Sequence, residues 1–457
     1  MIDMKLIREN PGLVKENIKK KFQNDKLKLV DEIRKLDEDW RKLKYEEDSL
    51  RSERNKVSQK INELKKAGKN AGKEIKSAKE IPGKIEKIEE KRKWLEEKIR
   101  GLQIEIPNII SENVPLGKSD KENVVEKIIG KPDKLVFPVK SHVELAEDLG
   151  LVDFDSSARV AGTGFYYLEG DLALLNAALV NYARDVMVSK GFKYVETPIL
   201  LREEIIDKVT DLNDKQQQIY LVDDEPKMAL IGTSEHSLIG RFVDREISEK
   251  ELPIKQTSYS MCFRKEIGAH GIDEKGLFRT HQFNKIEMIV ICEPDLKVSE
   301  KFFKEMQSIT IEIFKSLEIP IRVLRICSGD LGNLKYEQVD IEAYSPRKKG
   351  YFEVGSCSNL TEAQARKLGI FTRIKGERKT PHTLNNTAIA TSRALVAIME
   401  NHQQEDGSIK IPKVLWKYMG GKRLIGRIPG GHKNLSEAPK DFSKKSLLGA
   451  KIIKREK

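Results

Sequence analysis

Cysteine is scarce in this chain. The 457 residues hold four, Cys262, Cys292, Cys327 and Cys357, far apart and without a C-x-x-C pair. That pattern argues against a disulfide framework or a thiolate zinc site and fits a reducing, cytoplasmic setting. No apolar run reaches the length of a membrane span, and the opening MIDMKLIRENPG lacks the apolar core of a secretory signal, so no membrane partner is expected. Neither a Rossmann nor a P-loop glycine fingerprint occurs. His236, His270 and His281 have no i,i+4 mate or third ligand and read as structural. No Ser/His/Asp constellation suggests a covalent nucleophile.

What is abundant is charge. Asp, Glu, Lys and Arg make up 34% of the chain, and the formal net charge is +12. The excess is positive at both ends, while the centre is slightly acidic. Basic ends suit a polyanion, although a densely charged, well-solvated helical surface would give the same count. The length allows two or three domains with a large core.

The first hundred residues carry heptads. One apolar seam runs Leu29, Ile33, Leu36, Trp40, Leu43, Leu50, Val57, Ile61 and Leu64, interrupted by Glu47 and Arg54. A second runs Ala78, Ile81, Ile85, Ile88, Leu95, Ile99, Leu102 and Ile106, with Arg92 as its polar member. Alternating steps of three and four over this length predict a coiled coil, and KKAGKNAGK between the seams predicts a hairpin tip. Folding the chain there brings Glu47 and Arg92 within about a turn of each other, so an ion pair fixing the register is expected. Pro82-Gly83 should kink or restart the second helix. Heptads commonly serve dimerisation or spacing. A tip with six lysines and one glutamate between Lys65 and Lys79 can also reach a nucleic-acid backbone.

Residues 107–135 are rich in Pro, Asn and Ser and read as a linker. The body beyond it alternates helices (about 171–190, 236–248, 297–317, 361–369 and 388–403) with strands (about 319–327, 338–344, 351–355 and 370–375). That pattern favours an α+β fold on an antiparallel sheet. After about residue 420 the chain is basic and Gly-rich, and reads as a tail.

Near the middle stand Cys262-Phe263-Arg264-Lys265-Glu266 and, beyond a Gly-containing loop, Arg279-Thr280-His281-Gln282-Phe283-Asn284-Lys285-Ile286-Glu287. Both read as strand ends. Alternation along a strand would turn Arg264 with Glu266, and Phe283 with Lys285 and Glu287, to one face. A guanidinium, an aromatic ring and two carboxylates so placed can hold a nucleoside triphosphate.

FRKE followed by FRTHQFNKIE resembles motif 2 of the class II aminoacyl-tRNA synthetases in the form seen in seryl-tRNA synthetases, of the archaeal-like type without zinc. The helix at about 171–190 with Lys193 to Pro198 resembles motif 1, which builds the class II dimer. Thr383 to Arg393 resembles motif 3. The resemblance implies that the N-terminal hairpin grips serine tRNA and that the chain is a homodimer using ATP and Mg²⁺, with no zinc. It implies ATP ligands Arg264, Lys265, Glu266, Arg279, Phe283, Glu353, Val354, Gly355, Ser356 and Arg393. Arg264 would take the α-phosphate and Arg393 the γ-phosphate, which makes them the two catalytic residues. Glu353 and Ser356 would hold Mg²⁺. Gly232-Thr233-Ser234-Glu235 resembles the family's T-x-E loop, so Thr233 and Glu235 are expected at the amino group of L-serine, with Ser234 and Arg264 also among the serine-binding residues. Glu287 would take the substrate amine or hydroxyl, and Asn385 and Thr387 would complete the hydroxyl pocket. Asn385-Asn386-Thr387 would cap the helix that carries Arg393.

The expected organisation is a tRNA-binding hairpin (1–106), a linker (107–135), a catalytic domain (136–420) and a basic tail (421–457). The expected activity is that of a serine--tRNA ligase, including selenocysteine tRNA where the host has one. The alternatives are a synthetase for another small hydroxylated amino acid and a synthetase-derived tRNA-binding protein without catalysis.

Overall fold

A computed structural model describes residues 1–210, 215, 217–223, 225–266 and 276–426. His270 and the tail beyond Gly426 lie outside the described residues. Two short helices, α1 (Met4–Glu9) and α2 (Pro11–Lys20), precede the hairpin helices α3 (Leu27–Lys66) and α4 (Gly72–Glu105). The 40 residues of α3 give an arm of about 60 Å. The arm's base is packed by Ile7, Val14, Ile18, Val30, Ile33 and Ile106.

Along the arm the seam is thin, and Glu47 and Arg92 pair across it as the fold-back requires. Glu47 also accepts from Arg51 Nε at 2.9 Å, and Arg92 lies 4.8 Å over the Trp40 ring. Pro82 does not restart the second helix. α4 runs through it, because Pro82 is exposed and the Ala78 carbonyl that loses its N–H partner can turn to water.

The body is built on an eight-stranded sheet. Its strands are β1 (Val124–Ile129), β2 (Lys193–Tyr194), β3 (Ile254–Phe263), β4 (Gln282–Cys292), β5 (Ile321–Arg325), β6 (Glu337–Ser345), β7 (Gly350–Thr361) and β8 (His382–Ala390). Their spatial order is β1-β5-β6-β7-β8-β4-β3-β2, antiparallel throughout except for β2 against β3. The stretch 107–135 is therefore more than a linker. β1 pairs with β5 at the sheet edge, and the buried Asn108 side chain donates to Leu334 O, Leu360 O and Thr361 Oγ1. Its Pro and Asn content reflected edge position and buried polar anchoring.

Five body helices matter for the site: α5 (His142–Asp148), α6 (Gly170–Ser189), α7 (Ser234–Gly240), α8 (Leu296–Ser316) and α9 (Ala363–Lys367), followed by α10 (Thr391–His402) after the last large strand. One sheet face is covered by α6, α8 and α10, whose apolar stripes meet Ile286, Met288, Val290 and Cys292 of β4. On the other face Ile289 and Ile291 pack under Leu238 and Ile239 of α7. The open end of that face, beside Lys285 and Glu287, holds the site.

Three expectations shift. The helix expected over 236–248 ends at Gly240. Phe242 and Ile247 are buried in the same cluster but lie on either side of a turn at Asp244 (φ 54°), so their apolar spacing imitated a longer helix. Asn385-Asn386-Thr387 do not cap a helix. They lie inside β8, hydrogen-bonded between β4 and β7, and the helix starts at Thr391. The tail is expected from residue 421, yet Leu424–Ile425 pair with Ile409–Lys410, so the described chain stays attached to the body through that point.

Candidate active site

Two cavities meet on the open sheet face. The smaller, about 80 Å³, is lined by Arg264, Glu266, Phe278, Arg279, Phe283 and Arg393, with the β7 stretch Glu353-Val354-Gly355 as its floor. The larger, about 500 Å³, is lined by Gly232, Thr233, Glu235, His236, Glu287, Ser356, Asn385 and others. Four side chains border both: Arg264, Lys285, Glu353 and Thr387.

Strand geometry places these groups, with two irregularities that the sequence does not show. Phe283, Lys285 and Glu287 share a face of β4 by plain alternation. On β7, Gly355 pairs with Ile341 and Glu353 with Glu342, so Val354 is an extra residue. This bulge resets the alternation and turns Glu353 and Ser356 to the same side. On β8 the pairing skips Ala388, which brings Thr387 opposite Glu287. Arg264 and Glu266 follow the end of β3, and Glu266 has φ 48°, so a turn rather than a pleat aims them together.

Cations and carboxylates alternate around the smaller cavity. Arg264 donates from Nε to Gly232 O at 3.2 Å and lies 5.4 Å over the Phe283 ring. Its backbone is fixed by His281, whose Nδ1 is 2.9 Å from Arg264 O. Arg279 pairs with Glu266 at 3.0 Å, and Arg393 with Glu353 at 3.1 Å. Arg393 also lies 5.3 Å over Phe278. Burial pushes the Glu353 carboxyl up, but the Arg393 charge and hydrogen bond outweigh it and hold the group below the usual carboxylate range. Asp340, opposite Ser356 in the register, is pushed up to about 7 by burial and by the Glu353 charge.

The larger cavity is polar at its inner end. Glu235 is half-buried, and its Oε1 accepts from Gln364 Nε2 at 2.7 Å and Asn385 Nδ2 at 2.9 Å. Its pKa is pushed up to about 7, first by burial and then by the Glu287 charge. Glu287 pairs with Lys285 at 2.8 Å and accepts from Thr387 Oγ1 at 3.1 Å. Thr233 caps α7, its hydroxyl accepting from Glu235 N.

Two family models match the chain, the seryl-tRNA synthetase N-terminal domain over residues 1–110 and the class II core domain of the G, H, P, S and T synthetases over 220–402. The serine--tRNA ligase of Methanospirillum hungatei is 44% identical over 330 residues, 72% of this chain and 77% of that one. That of Dictyoglomus thermophilum is 45% identical over 318 residues, 69% and 74% of the two chains. The seryl-tRNA synthetase of Pyrococcus horikoshii, solved with ATP, superposes with a TM-score of 0.87 at 40% identity, covering 94% of this chain and all of that one. The chain belongs to the seryl-tRNA synthetase family. The cytoplasmic enzyme of Naegleria fowleri, solved with AMP, is also similar, with a TM-score of 0.84 at 32% identity over 93% and 98% of the chains.

Within this seryl-tRNA synthetase fold, most of the expected site residues converge on the two cavities and two do not. Lys265 borders neither cavity, and its Nζ sits 6.0 Å over the Tyr220 ring. Ser234 is buried with its hydroxyl donating to Ser258 O. Each is the middle residue of a tripeptide whose outer members face the cavity, so adjacency in sequence carried it into the expectation. Val354 borders the smaller cavity while its side chain belongs to the core.

Lys285 was not assigned from sequence, although the alternation of Phe283, Lys285 and Glu287 already pointed it inward, and His236, which reads as structural from sequence, borders the larger cavity. Burial, together with the Lys285 and Arg264 charges, pushes His236 down to about 3, so it is neutral. For Mg²⁺ the donor set fits. The Ser356 hydroxyl is buried and makes no hydrogen bond of normal length, although the Asp340 carboxyl opposite is close enough to feel it. With the Glu353 carboxylate beside it, the site offers hard oxygen ligands. Among the described residues no helix is long and apolar enough to cross a membrane.

Proposed function

We propose that the smaller cavity takes ATP and the inner end of the larger takes L-serine, so that this enzyme, a serine--tRNA ligase by family, forms seryl-adenylate where the cavities join. The observation that carries the assignment is the shared border. Arg264, Lys285, Glu353 and Thr387 line both spaces, so a carboxylate in one can meet a phosphate in the other. Both reactants are anionic. The reaction needs charge neutralisation and alignment, and no covalent nucleophile.

Arg264 takes the α-phosphate. Arg279 and Arg393 take the phosphate tail, leaving their carboxylate partners Glu266 and Glu353 to other ligands. Phe283 stacks on adenine and Glu266 accepts from its amino group. Glu353 and Ser356 would hold Mg²⁺, which supplies positive charge to the phosphate chain. In the larger cavity Thr233 and Glu235 receive the serine ammonium, while Glu287, Thr387 and Asn385 receive the hydroxyl. A substrate without that hydroxyl would leave buried polar groups unpaired, which disfavours alanine.

The serine carboxylate attacks the α-phosphate and pyrophosphate leaves. A terminal ribose hydroxyl of tRNA then attacks the adenylate carbonyl and AMP leaves. The larger cavity, about 500 Å³, exceeds what one serine fills, and its outer part is read as the entry for the tRNA end. The basic-tipped arm serves to hold serine tRNA. Pairing of two chains through the motif 1 region fits the half-exposed apolar residues Leu174 and Val188 on α6. A cytoplasmic location follows from the same reading.

The test is ATP–pyrophosphate exchange with serine and with threonine, alongside charging of serine tRNA. Serine-dependent exchange with little response to threonine is expected, and equal exchange would overturn the choice of serine. Excising residues 52–87 and joining Arg51 to Ile88 by a short Gly-Ser turn keeps the apolar base of the arm. It should preserve exchange and abolish charging. Loss of both together would remove the tRNA role from the arm.

A further inference from the structure

We infer that His142, far from either substrate in sequence, is a positioning residue for the nucleotide, because its imidazole anchors the returning end of the loop between β3 and β4. This rests on the reading of the smaller cavity as the ATP site. His142 opens α5 behind a Ser141 cap and is buried. The Leu277 amide donates to its Nε2 at 3.3 Å. An accepting Nε2 carries no proton, so in the neutral ring the proton is on Nδ1, which lies 3.5 Å from Glu400 Oε1.

Glu400 is itself buried and fixed. It accepts from Ser345 Oγ, and Arg347 Nε lies 3.5 Å from Oε1. Burial pushes its carboxyl up, but hydrogen bonds from His142 and Ser345 outweigh this and keep it below the usual carboxylate range. The imidazole is thus held from behind by an anchored carboxylate and presents an acceptor to the loop, in the manner of an outer partner orienting a functional group.

The loop approaches closely to reach that acceptor. Gly276 has φ +70°, and a Cβ there would lie 2.5 Å from Val143 Cγ2 and 2.8 Å from His142 Nε2. Leu277 then enters the main core. The next two residues border the smaller cavity: Phe278, edge-on to Phe352 and under Arg393, and Arg279, paired with Glu266. One hydrogen bond therefore stands directly before the two loop residues that meet the nucleotide. Of the four side chains common to both cavities, only Glu353 is linked to this loop end, through Arg393 over Phe278.

The experiment uses the full chain and measures ATP and serine binding separately by calorimetry, with KM values from exchange. His142→Phe fills similar volume and accepts nothing, whereas the His142→Gln carboxamide can accept from Leu277 and donate to Glu400. The expected result is that His142→Phe weakens ATP binding by about tenfold, as for loss of one buried hydrogen bond and the order it imposes, with serine binding within about twofold. His142→Gln should recover most of the loss. Gly276→Ala, which pushes the loop off from its own side without touching the core, should give the same selective loss should His142→Phe not fold. Equal ATP affinity in parent and variants would overturn the inference alone, and so would a parallel loss of serine binding or a Gln variant no better than Phe. A parent chain that binds no ATP would overturn the nucleotide reading and this inference with it.

Discussion

Placing the serine ammonium on Glu235, as proposed, gives the larger cavity a pH dependence whose sign and size follow from the surroundings of that carboxyl. The Glu235 carboxyl is pushed up to about 7, first by desolvation and then by the Glu287 charge, and drawn back in part by the Gln364 hydrogen bond. Only the carboxylate can pair with the serine ammonium. At about pH 8 a group with this pKa is about nine-tenths ionised, and at about pH 6 about one-tenth, so kcat/KM for serine should fall about tenfold between them. Replacing Glu235 by Gln keeps an acceptor for Gln364 and Asn385 and removes the charge. This variant should lose on the order of a hundredfold in kcat/KM for serine, the cost of leaving a buried ammonium unpaired, and should show no such slope.

The assay is exchange at saturating ATP, with serine varied across the pH range in both forms. A second readout follows from stability. A carboxyl whose folded pKa lies above its ordinary 4.5 stabilises the fold while protonated. That contribution is present below about pH 4.5 and is lost as the pH rises through about 7. The empty pocket is therefore under strain at about pH 8, and bound serine should raise Tm more there than at about pH 6. A flat parent profile, or the same slope in Glu235→Gln, would refute the assignment of the ammonium to Glu235.

Two further outcomes test other parts of the reading. Thr387→Val removes the hydroxyl that donates to Glu287. It should lower kcat/KM for serine by about tenfold and leave that for alanine nearly unchanged, as for one hydrogen bond of about 1.4 kcal/mol; parallel changes for both amino acids would separate Thr387 from specificity. In the arm, Glu47 is covered by its partners yet sits in a structure two helices thick, with water close by. The coupling of Glu47→Ala with Arg92→Ala should then be about 1 kcal/mol, above an exposed pair and below a core pair. Hydrogen exchange of α3 and α4 amides in the full chain reads it, and additive effects would sink the register role.

The arm was legible because its determinants are local and periodic. Heptad steps set which face meets the partner, and the glycine-bearing tip sets where the chain folds. The opposition of Glu47 and Arg92 then follows from counting. The motif strands were legible for a related reason, since Phe283, Lys285 and Glu287 need only plain alternation to share a face. In the same way the tripeptides around Arg264 and Thr233 marked residues that border the two cavities.

Tertiary structure decided what alternation could not. The bulges at Val354 and Ala388 arise from mismatched lengths between paired strands, so only the assembled sheet turns Glu353 with Ser356 and sets Thr387 opposite Glu287. β8 became a strand because two neighbours supplied its hydrogen bonds, which overrode the local capping signal at Asn385 to Thr387. Burial likewise moved the Glu235 titration, through groups remote in the chain. A sequence fixes local period and residue chemistry, whereas register, burial and the meeting of distant side chains exist only once the strands have paired.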